Sequence, residues 1–175
     1  MKKFIYIFCL MISALSFVSC NSEDFDYDID YTPIHPLGGQ YTVSITRGDV
    51  AIKEGVDCFL ANTSAYDTDK CWIRIGSYSS SNNVSDENSR FYINGKISCN
   101  VSDLSFEGSD VENLAGNVAS SDETFSVLEG KLVLKGITAP SGTVSDKISF
   151  TYTTSVDPGV VYKVEGYRYT GWPED

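Results

Sequence analysis

Five cysteines, one histidine and 24 acidic residues are the side chains here that could do chemistry. A cysteine or serine nucleophile needs an imidazole beside it, and the single histidine, His35, lies between Pro33 and Pro36 near the start of the chain. No G-x-S-x-G elbow occurs. A hydrolytic metal site would have to be built almost wholly from carboxylates, and a paired-carboxylate glycosidase stays open only because so many acidic residues always offer a pair. The alternating Asp24, Asp26, Asp28 and Asp30 invite a calcium loop. Counted from Asp24 or Asp26, however, Ile29 or Tyr31 stands where the loop needs glycine, and His35 or Leu37 where it needs glutamate. The composition thus points to no catalytic residue, no metal and no cofactor.

The cysteines divide by position. Cys9 falls in an N-terminal segment with Lys2 and Lys3 ahead of an apolar run from Phe4 to Ile12, the pattern of a secretory signal and too short for a membrane span. Phe17-Val18-Ser19-Cys20 resembles a bacterial lipobox, which predicts cleavage after residue 19 and lipidation of Cys20. Cys58, Cys71 and Cys99 remain, an odd number on apolar strand faces. They are expected to be buried small hydrophobes ahead of a Cys58–Cys71 bridge.

Loss of residues 1–19 takes two lysines and leaves 24 acidic against 11 basic residues. Nucleic acid is therefore not a partner, and an anionic bilayer would repel the chain. The predicted division is a signal at 1–19, an acidic lipidated tether at 20–37 and one domain at 38–175. The membrane contact is then through lipid on Cys20 alone.

The elements of that domain have a period of two. Tyr41 to Ile45, Val56 to Ala61, Cys71 to Ile75 and Phe91 to Val101 alternate as strands, with Gly95 a candidate bulge or bend. Thr124 to Leu128 and Lys131 to Ile137 flank Glu129-Gly130 as a predicted hairpin. Lys147 to Val156 and Val160 to Tyr169 flank Asp157-Pro158-Gly159 as another. Ser77 to Ser89 reads as a long polar loop. Ser109-Asp110-Val111-Glu112 is a capping-box pattern that predicts a short helix over 109–116. About eight antiparallel strands form either a closed barrel or a two-sheet sandwich, and the barrel is the expectation.

The ending Gly166-Tyr167-Arg168-Tyr169-Thr170-Gly171-Trp172-Pro173-Glu174-Asp175, with Asn113-Leu114-Ala115-Gly116 and Thr138-Ala139-Pro140-Ser141-Gly142, resembles the Bacteroides lipoproteins called lipid-binding putative hydrolases. The resemblance implies an all-β, calycin-like barrel of lipocalin or streptavidin type. An acidic run after the lipidated cysteine resembles the export signal of Bacteroidetes surface lipoproteins, which implies an outer-membrane, cell-surface location. Two functions follow as expectations. In one, a lipid or other small hydrophobic ligand lies in the barrel against inward-facing Tyr41, Phe91, Phe150, Tyr152 and Tyr162. In the other, glycan or protein binds outside, with Trp72 and Trp172 as stacking platforms.

Overall fold

The computed structural model describes residues 31–76, 91–115 and 123–175. Eight strands, β1 (Gly39–Arg47), β2 (Val50–Asn62), β3 (Lys70–Ile75), β4 (Ile93–Asn100), β5 (Ser105–Glu112), β6 (Thr124–Thr138), β7 (Val144–Thr154) and β8 (Tyr162–Arg168), follow one another around a closed barrel. Each pairs antiparallel with the next, and β8 returns to β1 from Tyr41↔Arg168 to Arg47↔Tyr162. The sandwich alternative is thereby excluded.

The period of two decides what fills the barrel. Ile148, Phe150 and Tyr152 of β7 are buried while Ser149, Thr151 and Thr153 face outward. The same parity sends Tyr41, Val43 and Ile45, then Cys71, Ile73 and Ile75, into one continuous core.

Two local readings change. Residues 109–112 belong to β5, paired with β6 at Val111↔Phe125 and Glu112↔Thr124, so the helix over 109–116 does not form within the described residues. The gap between β4 and β6 has to be closed by a strand, and that requirement outweighs a local cap pattern. Glu129-Gly130 is not a hairpin turn. It is an irregularity inside the single strand β6, where Glu129 takes φ 54° and the ladder to β7 shifts between Leu128 and Lys131. A Cβ on Gly130 would lie 2.2 Å from the carbonyl oxygen of Phe106, so glycine is required where β5 presses against β6. The strand lost at β6 and the strand gained at β5 keep the count at eight.

Gly95 is not a bulge either. It pairs in register with Ile73, and its missing Cβ makes room for Val111 and Phe125. Residues 31–37, read from sequence as the end of a tether, carry Ile34 and Leu37 into the core without exposure. The signal, Cys20, the first part of the tether and the loop from Ser77 to Ser89 lie outside the described residues.

Candidate functional site

Four of the five interior aromatics are linked through Tyr152, and Tyr41 stands apart. Phe91, Tyr152 and Tyr162 meet at the end of the barrel where β7 passes to β8. The Tyr152 hydroxyl donates to the carbonyl of Phe91 at 2.5 Å, and its ring stacks on Tyr162 at 5.1 Å. Tyr162 in turn donates to Asp157 at 2.8 Å. Phe150 lies one inward position further along, edge-on to Phe106 at 5.4 Å. Tyr41 stands at the opposite end and donates to the carbonyl of Leu37 at 2.6 Å. All five are at most 4% exposed. Burial raises the pKa of Tyr152, and burial raises that of Tyr41 against an opposing pull from Arg168, so both phenols stay neutral. Their hydroxyls are engaged by the protein itself, and the interior they line is packed with its own side chains.

Arg168 closes the Tyr41 end. Its guanidinium bonds Asp146 at 2.9 Å, the carbonyl of Gly38 at 2.6 Å and the carbonyl of Pro36, and it lies over the Tyr41 ring at 4.9 Å. A planar fork of donors suits this junction of four chain segments, which a lysine could not reproduce. In the sequence Arg168 is marked only as part of the family-like ending, without a role. An arginine on the inward parity of β8, after Tyr162, Val164 and Gly166, was the available signal.

Catalytic geometry is sparse. The Ser141 hydroxyl donates to Asp175 at 3.0 Å, a serine–carboxylate pair without an imidazole between them. His35 stacks on Tyr31 at 4.1 Å. Among the described residues no group of three His, Cys, Asp or Glu could hold a metal ion.

The three described cysteines are free and buried. Cys58 stands opposite Ile75 and Cys71 opposite Asn62, at the two ends of the β2–β3 ladder, so the Cys58–Cys71 bridge is not made. Burial pushes the Cys58 thiol up to about 12, which removes it as a nucleophile. Cys71 and Cys99 hydrogen-bond each other, and burial raises both.

The outer wall carries two features. Trp72, half-buried, lies beneath Lys96 at 5.7 Å, and Trp172 is exposed near the C-terminus; the structure does not bring the two together in one contact. Across β2, β1, β8 and β7 runs an open trough of about 780 Å³ lined by Thr42, Asp57, Lys147, Glu165, Tyr167 and Tyr169 among others. These residues are the outward half of the same alternation whose inward half builds the core.

A protein-family model described as lipid-binding putative hydrolase matches residues 26–173. No curated protein matches the chain.

Proposed function

The chain belongs to the family of lipid-binding putative hydrolases, and from that premise we propose that it is a cell-surface lipoprotein, anchored by lipid on Cys20, whose barrel domain binds a lipid or other small hydrophobic ligand. The family match over the whole barrel carries this reading, and an all-β closed barrel fits a lipid-binding role. The signal, the cysteine junction and the acidic tether support the anchor and the location. Replacing Cys20 with serine should release the protein from the membrane fraction. A variant that stays membrane-bound and still takes up labelled fatty acid refutes lipidation at this residue.

The packed lumen favours an outer contact over an inner one. Val133, Leu134 and Val144 at the far end of the β6–β7 pair are each about half exposed, an aliphatic surface that costs free energy in water and fits a neutral acyl chain. A ligand against Tyr41, Phe91, Phe150, Tyr152 and Tyr162 would require the wall to part. The β4–β5 seam is the place for that: it has three paired positions, Ser98 to Asn100. Beyond them Asn113 bridges by its side chain, accepting from the Asn94 amide and donating to the Tyr92 carbonyl.

Titration of a neutral apolar fluorophore into wild type, Val133→Asp/Val144→Asp and Phe150→Ala separates the two. Loss in the first variant supports outer contact, and loss in the second supports the interior. Absence of binding by wild type overturns the hydrophobic-ligand reading.

A further inference from the structure

We infer that the trough across β2, β1, β8 and β7 is a docking site for an extended peptide segment carrying several lysines or arginines. This goes beyond the hydrophobic-ligand reading and uses the acidic stretch of outer wall that adjoins the aliphatic patch, Lys147 on its floor being the cross-strand partner of Val133. The floor is set by register: Asp57, Thr42, Tyr167 and Lys147 lie in one row across four strands, and Ser44 and Glu165 in the next. One side is the first half of β2, Val50–Gly55, which is exposed throughout. The other is the end of β6 with Ile137 and the turn after it with Pro140, together with the tail residues Glu174 and Asp175. That tail is held in place by Ser141, whose amide and hydroxyl both donate to Asp175.

Charge selects the occupant. Glu54, Asp57, Glu165, Glu174 and Asp175 face one ammonium in the trough, Lys147, which pairs with Glu165 at 3.6 Å, and Glu165 is paired from beside the trough by Lys163 at 3.4 Å. Anionic ligands, fatty-acid carboxylates included, are therefore repelled. The carboxylates stand on both sides and on the floor, a spread that suits several separated cations better than one. The outer strands of the trough are about 15 Å apart, the length of four or five extended residues. Every second side chain of such a segment points to the floor, where the rings of Tyr167 and Tyr169 add a face for ammonium or guanidinium groups. This chain's own segment from Glu23 to Asp30 is acidic, and so is a second copy of the protein, so neither is the occupant.

The test is fluorescence anisotropy with a short labelled peptide of alternating lysine and glycine, titrated with the full protein. Glu54→Gln/Glu174→Gln removes two exposed carboxylates that make no ion pair among the described residues. Glu107→Gln/Glu112→Gln on β5 removes the same charge elsewhere. Binding should weaken about tenfold in the first variant, the combined worth of two exposed ion pairs, and stay within about twofold of wild type in the second. Equal weakening in both variants means diffuse attraction to an acidic protein and overturns the site. Competition by a free polyamine as effective as by the peptide makes the trough a small-cation site and overturns the peptide assignment, and absence of binding by wild type overturns both. Because the apolar fluorophore carries no charge and its binding is read on Val133 and Val144, failure here leaves that reading standing, and the reverse.

Discussion

Phe150→Ala measures how solid the barrel is. Phe150 is 3% exposed, edge-on to Phe106 at 5.4 Å and within 6.1 Å of Tyr152. Truncation removes the transfer free energy of the ring and leaves a void between neighbours held by their own strands, so the loss should be about 3 to 5 kcal/mol. The edge-to-face pair contributes about 0.5 to 1.5 kcal/mol of that beyond area alone. For a domain of this size the midpoint of thermal unfolding should fall by about 10 °C or more. Urea denaturation should show the same loss with an unchanged slope, since the surface exposed on unfolding hardly alters. Thr151→Ala, one position along and facing outward, should shift stability by no more than about 0.5 kcal/mol. A loss below about 1 kcal/mol for Phe150→Ala would refute the packing argument, and with it the preference for ligand contact on the outer wall.

Arg168→Met should destabilise by about 1 to 3 kcal/mol in the same urea assay, because Asp146 and the carbonyls of Pro36 and Gly38 lose charged donors at once; a loss under about 0.5 kcal/mol would mean Arg168 is peripheral. Peptide mapping after treatment with a thiol reagent at mildly alkaline pH should find Cys58, Cys71 and Cys99 unlabelled in the native protein and fully labelled after denaturation, as burial of all three demands. For Asp175, burial raises the carboxyl pKa, but bonds from Thr170 and Ser141 outweigh it and hold the group below its ordinary value. The sign follows: the tail contact is fully formed above the ordinary carboxylate pKa and is lost as pH falls through the lower folded value. Exchange protection of the Ser141 amide should therefore persist at mildly acidic pH and vanish in strong acid, and protection independent of pH would contradict it.

The strands were legible where one face meets the core and the other meets water, as in β1, β3, β4 and β7. β5 was hidden because Glu107, Ser109, Asp110 and Glu112 are polar and the ladder slips between Phe106 and Val111, which breaks the alternation. Glu129-Gly130 misled because a residue with positive φ followed by glycine suits a tight turn and a strand irregularity equally, and only the partner strand decides between them. Of the site, the inward direction of Tyr41, Phe91, Phe150, Tyr152 and Tyr162 could be read from parity. Their dispersal along the axis could not, since it depends on the stagger between strands. The trough was illegible for the same reason: Asp57, Thr42, Tyr167 and Lys147 share a row only once three ladders are in register.

The Arg168 clasp also bears on how the chain reaches its folded state. Gly38 and Arg168 are 130 positions apart, and the β1–β8 ladder joins the first strand to the last. Every other ladder links neighbours in sequence and closes a comparatively small loop, whereas this one cannot form until the whole domain has been synthesised. Until then β1 presents an unpaired edge, and β7 gains its second partner only with β8. Barrel closure is thus expected to be the late, entropically costly step of folding, and the chain should acquire its cooperativity all at once when the final seven residues of strand dock.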